Sequence, residues 1–199
     1  MVPSAEAVST GFSCITGSVA ADCATGEAQL FVDVTDAGSN RVLFTFSNTG
    51  PEDAAITDVY FDDGTLLGIA GLIDSDDDAL GSFGDPGVDF SPGASPGDLP
   101  GGEAIGFMVT VGFLADSDSP PPHNGVNPLE SLGIVFDLQA GGTIADVLSE
   151  LADETLRIGI HVQGFAGGGS ESFVNIPVPE PGSALLVAMG LAGLARRRA

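Results

Sequence analysis

Along most of this chain, apolar side chains recur at every second position. In AQLFVDV (28–34) and RVLFTFS (41–47) hydrophobic and polar residues alternate, which is the period of a strand with one buried face. The AGSN between them predicts a hairpin-like turn. ITDVYF (56–61) and TLLGIA (65–70) flank Asp-Asp-Gly, which reads as a chain reversal because glycine reaches positive φ without steric cost. EAIGFMVTVGFL (103–114), LGIVFDL (132–138), LRIGIHVQGF (156–165) and SESFVNI (170–176) bring the predicted strands to eight.

One internal segment has a different period. In TIADVLSELADE (143–154), Ile144, Val147, Leu148 and Leu151 fall on one helical face, and Thr143 can cap its start. Short strands joined by Gly/Pro-rich connections predict an all-β domain over 28–176. The expected form is an antiparallel β-sandwich, jelly-roll or Ig-like, with this one short helix. DFSPGASPGDLPGG and ADSDSPPPHNGVNP read as long loops, because proline fixes φ and removes the backbone donor a central strand needs.

Charge narrows the partners. The chain has 28 acidic residues, five arginines and no lysine, and before Gly182 only Arg41 and Arg157 oppose the acids. Such a surface repels polyanions, so nucleic-acid binding is excluded as a role. Cations and basic surfaces are the partners it favours. With no tryptophan and a single tyrosine, Tyr60, the aromatic platforms of a sugar site are scarce, and the twelve phenylalanines sit in strand patterns as core.

Cys14 and Cys23 are too few for a zinc site, and their spacing is not that of a CxxC redox motif. Outside the cytoplasm they form one local disulfide, worth about 2–3 kcal/mol for so short a loop. The alternative is two unpaired thiols in an N-terminal segment, 1–27, lying outside the predicted sandwich.

Catalytic motifs fare poorly. GASPG (93–97) has the spacing of a nucleophile elbow around Ser95, but the next residue is Pro96, which has no N–H to act as oxyanion donor. Pro92 and Pro100 also deny it a strand-turn-helix setting. Of the two histidines, His161 lies within a predicted strand and His123 follows three prolines in a loop. No nucleophile is evident beside either.

IDSDDDALGSFGD carries a better metal candidate. Asp74, Asp76 and Asp78 match the first ligand spacings of a Ca²⁺ loop, and Asp85 falls at its twelfth position. Ala79 stands where that loop needs glycine, and the alternative is a solvated acidic loop. Asp116 and Asp118 form a second, weaker acidic candidate.

The C-terminus departs from all of this. From Gly182 to Ala195 no residue is charged, and Arg196, Arg197 and Arg198 follow at once. As a helix these residues rise about 21 Å, short of the roughly 30 Å hydrocarbon core. They are apolar or small on every side, which an amphipathic core helix is not. Arginine snorkelling and bilayer thinning accommodate part of the shortfall, and the basic end stays cytoplasmic. The expected element is a single C-terminal transmembrane helix over 182–199, preceded by a linker at 177–181.

Pro179-Glu180-Pro181, a short apolar helix and a terminal arginine cluster together resemble the PEP-CTERM sorting signal of exosortase-containing Gram-negative bacteria. The run FTFSNTGPEDAAITDVYFDDGTLLGIAGL, and RIGIHVQGF with GGSESFVN, look more loosely like an extracellular domain associated with that signal. The resemblance implies a membrane-embedded exosortase as partner and cleavage near the motif. It also implies surface attachment or release, in bacteria that make exopolysaccharide and form biofilms. Two proline rings on either side of Glu180 favour an extended segment that a protease can accept.

Export calls for an N-terminal signal, and MVPSAEAVSTGFS has neither a basic nor an apolar region of that kind. Ala5-Glu6-Ala7 does resemble the A-x-A site that ends one, so the expected start lies upstream. The sequence thus reads as an exported, non-enzymatic surface or matrix protein without a required cofactor. The alternative is a β-sandwich module that binds Ca²⁺ or glycan through the Asp74–Asp85 loop.

Overall fold

Alternating apolar positions can all be buried only if strands pair edge to edge and their apolar faces then meet. A computed structural model of the chain, describing residues 7–63, 67–73 and 87–177, shows this arrangement. In chain order its elements are β1 (Ala7–Cys14), α1 (Ala20–Gln29), β2 (Leu30–Gly38), β3 (Arg41–Asn48), β4 (Ala55–Asp63) and β5 (Leu67–Ile73). There follow β6 (Phe90–Pro92), β7 (Leu114–Ser117), β8 (Ser131–Leu138), α2 (Ile144–Asp153), β9 (Leu156–Gln163) and β10 (Glu171–Asn175).

Neighbouring strands run β5-β8-β3-β2-β1-β10-β9-β4-β7-β6, and the pairs are antiparallel. β1 is the seam, pairing with β2 on one side and β10 on the other. The sheet curls about it, so that phenylalanines from its two halves meet edge to face. Phe61 of β4 lies 4.9 Å from Phe136 of β8 and 5.2 Å from Phe44 of β3 between ring centroids. The all-β antiparallel expectation holds, with one curled sheet supplying both layers.

Differences from the expected layout have local causes. Residues 7–14, expected to lie outside the sandwich, form its central seam. Their polar content (Ser9, Thr10, Ser13) hides a strand whose buried side is completed by Phe12. α1 was not expected either, because it carries no apolar stripe: its buried residues are Asp22, Gly26 and Gln29. Tertiary contacts hold it instead. Gly26 passes so close to the Phe173 ring that a Cβ there would sit 2.2 Å from it. A disulfide joins Cys14 of β1 to Cys23 of α1. The buried Glu171 carboxylate accepts the N–H groups of Val19 at 2.6 Å and Ser18 at 3.0 Å, as well as the Thr16 hydroxyl. It thus caps a helix start that has no capping side chain of its own. Burial alone would raise the Glu171 pKa, but these donors outweigh it and hold the carboxyl below its usual value.

α2 forms where the 3.6-residue period placed it, with Thr143 and Asp146 in a capping box and Val147, Leu148 and Leu151 buried. β4 and β5 do not pair: β5 lies against β8 and β4 against β9 and β7, so the chain crosses between layers there. Residues 103–114 are not a strand. They make a 3-10 turn at Gly102–Ile105 and an irregular run that reaches β7 only at Leu114.

Asp74, Asp76, Asp78 and Asp85 lie outside the described residues, as do Pro179, Glu180, Pro181, the expected helix 182–199 and Arg196, Arg197 and Arg198. Among the described residues no helix is long and apolar enough to cross a membrane.

Candidate functional site

The outward face of the β10-β9-β4-β7-β6 half carries an unusual row. Strand register places Ser172 opposite His161, His161 opposite Asp58, Asp58 opposite Asp116 and Asp116 opposite Ser91. One polar side chain from each of five strands therefore lines up across the sheet. A register shift between Ile56 and Asp58 brings Asp58 into this line, and Thr57 at the shift donates from Oγ1 to Asp58 Oδ2 at 2.9 Å.

These groups face outward yet are buried: Ser172 is 0%, Asp58 1% and His161 9% exposed. The cover comes from the connection between β6 and β7, residues 93–113. Its Leu99 and Phe107 pack with Tyr60 and Val174 into a second hydrophobic cluster. The Tyr60 hydroxyl donates to the Pro96 carbonyl at 2.9 Å. Arg157 clamps the far end, donating to the carbonyls of Ile105 (3.1 Å) and Gly106 (2.6 Å), pairing with Asp62 and lying over the Phe107 ring at 5.3 Å. Gly159 makes the approach possible, since a Cβ there would sit 2.6 Å from Leu99 Cδ2.

Burying carboxylates this way has an electrostatic consequence. Burial pushes the Asp58 carboxyl up to about 7; the Thr57 hydroxyl and the Ser95 backbone pull it down, while the neighbouring Asp116 carboxyl pushes it further up. Asp116 is raised as well, first by burial and then by Asp118. Tyr60 is raised by burial and by the charges of Asp58, Asp116 and Asp98. His161 is lowered by burial, which outweighs the nearby Glu171 charge, so the neutral ring is favoured. Asp58 Oδ1 is fully buried with no hydrogen-bond partner.

A serine, a histidine and an aspartate do adjoin here, with His161 Nδ1 3.0 Å from Ser172 Oγ. Ser172 is fully buried, and its hydroxyl holds the imidazole from one side. His123 lies exposed on a separate loop, and Ser95 sits in the cover, its side chain exposed and its backbone beside the Asp58 carboxyl. Cys14, Cys23 and Glu171 converge closely enough to resemble a metal cluster, but both sulfurs are spent on the disulfide. Beside the cover lies an open groove of about 900 Å³, lined by Pro96, Asp98, Leu99, Phe107, Met108 and Val109.

Of the acidic residues singled out in the sequence, Asp116 and Asp118 reach this face, with Asp118 Oδ2 accepting from Ser91 Oγ at 3.0 Å. Asp58, Thr57 and Ser172 were missed. A charged residue inside the apolar run ITDVYF was the available signal for Asp58.

The tail is classified by comparison with known families. Residues 177–199 match the PEP-CTERM protein-sorting motif. The PEP-CTERM signal marks this chain for export and sorting to the cell surface, with an exosortase as its processing partner in general terms. The match covers the tail and leaves the β domain unclassified. No curated protein and no solved structure matches the chain.

Proposed function

We propose that this chain is a non-enzymatic surface or extracellular-matrix protein whose β domain is delivered by its PEP-CTERM tail. The sorting-motif match at 177–199 carries this reading. In it, the apolar run from Gly182 to Ala195 holds the chain in the inner membrane, and Arg196, Arg197 and Arg198 stop transfer on the cytoplasmic side. An exosortase then recognises Pro179-Glu180-Pro181 and cleaves near it. The delivered domain works as a structural or adhesive component, associated with exopolysaccharide in a biofilm matrix. A strongly acidic exterior and a disulfide between Cys14 and Cys23 support life outside the cytoplasm.

The test is intact-mass analysis of the mature protein taken from the cell surface of its native host. Loss of the residues beyond the motif is expected. Surface material that still carries 182–199 would sink the processing step and leave a permanent anchor.

A further inference from the structure

Asp58 and Asp116 face each other across β4 and β7, and among the described residues no basic side chain lies between them. Thr57 satisfies Asp58 Oδ2, while Oδ1 is buried and unpartnered. Neither arginine among the described residues compensates the pair. Arg157 is engaged by Asp62, Ile105 and Gly106, and Arg41 lies on β3 in the other half of the sheet. Asp118, just past the end of β7, adds a third negative charge near Asp116, with its Oδ2 accepting from Ser91 Oγ.

Hard divalent cations take carboxylate oxygens, tolerate irregular geometry and complete their shell with water. Asp116 is only half-buried, which gives an ion a route to the buried oxygen of Asp58. We propose that Asp58 and Asp116 are the inner ligands of a divalent-cation site of the Ca²⁺ type, with Asp118 beside them. A bound ion bridges β4 to β7 and fastens the 93–113 cover onto the sheet. Affinity falls in the range of extracellular modules, about 0.1–1 mM, because only two or three carboxylates contribute.

The chain supplies its own reporter. It has no tryptophan and one tyrosine, and Tyr60 lies two residues from Asp58 on the same face of β4. Tb³⁺ bound at the pair will therefore emit under tyrosine excitation. The experiment titrates the full-length chain with Tb³⁺, then displaces it with Ca²⁺, and repeats this with Asp58→Asn, Asp116→Asn and a variant in which Asp74, Asp76, Asp78 and Asp85 are all asparagine. Expected are saturable emission, displacement by Ca²⁺, binding weakened roughly tenfold or more in either single variant since affinity follows ligand charge, and a signal retained in the quadruple variant. Asp116→Asn changes a half-exposed side chain, so it keeps the test decisive if Asp58→Asn does not fold. Absence of both emission and Ca²⁺ heat would mean that the pair shares only a proton and overturns the proposal. So would emission that survives Asp116→Asn but disappears in the quadruple variant, which would put the ion on the Asp74–Asp85 loop.

Discussion

The two halves of the curled sheet share a core but treat their outward faces differently. On the β2-β3-β8 half, outward residues such as Asp33, Thr45, Ser47 and Asp137 keep contact with solvent. On the β10-β9-β4-β7 half, a long connection packs across the face over Tyr60 and Val174, and Asp58, His161 and Ser172 are buried there. The strand chemistry is similar on both sides, since polar residues alternate with apolar ones. What separates them is the cover. An outward polar residue on an open face is a surface residue; under a lid the same residue type becomes a buried ionisable group with unmet hydrogen bonds.

The largest expected effect comes from the core that both halves share. Phe61 touches Phe44, Phe46 and Phe136, and is 1% exposed. Phe61→Ala should cost about 3–5 kcal/mol. If the halves are one cooperative unit, circular dichroism and tyrosine fluorescence will lose their signals at the same denaturant concentration. Separate transitions would show that the halves fold independently and break the comparison at its root.

Next in size is a difference in pH dependence. The folded Asp58 carboxyl sits at about 7 against an ordinary value of 3.8. The folded state therefore binds that proton more tightly than the unfolded chain. The resulting stabilisation is complete below about pH 3.8 and is lost as pH rises through 7. Asp58→Asn cannot titrate. Measured by denaturant unfolding in chelator from pH 4 to 8, the variant should lack this decline and gain stability relative to the parent by a few kcal/mol at pH 8. Parallel curves for the two proteins would contradict the burial of this charge.

How much of this was legible in the sequence depends on where each signal was encoded. The strands with clean alternation and the α2 helix with its Thr143 cap were written in local pattern, and they formed where expected. β1 and α1 were not, because a disulfide, the Glu171 carboxylate and the Phe173 ring hold them from elsewhere in the chain. Residues 103–114 misled in the opposite direction. Ile105, Met108 and Val111 looked like strand residues but stand exposed, while Phe107 serves the cover instead. The candidate site was half legible: Asp116 and Asp118 were flagged as acids, but their partner Asp58 comes from a strand far away, and only register brings them together.

Gly159→Ala addresses the cover directly. The new methyl would meet Leu99 and Phe107, so the loop has to shift or the sheet has to yield. A cost of about 1–3 kcal/mol is expected, typical of overpacking. Faster amide exchange should appear in 93–113 and not in β3 or β8. Exchange that rises equally on both halves would mean that the loop is not a separate lid.

The smallest effect is predicted on the open face, and its smallness is what sharpens the contrast. Thr45 sits on β3 between Asp33 of β2 and Gly133 of β8 and keeps contact with solvent. Thr45→Ala removes a β-branched side chain from a solvated strand position without leaving a buried group unpaired. Its cost should stay within about 0.5 kcal/mol, set by strand propensity alone. Thr57→Ala makes the same chemical change on β4, where the hydroxyl donates to the buried Asp58 carboxylate. Losing that donor leaves a second oxygen of Asp58 unsatisfied, a penalty of about 1–3 kcal/mol. Equal costs for the two substitutions would mean that the cover does not change what a polar side chain experiences.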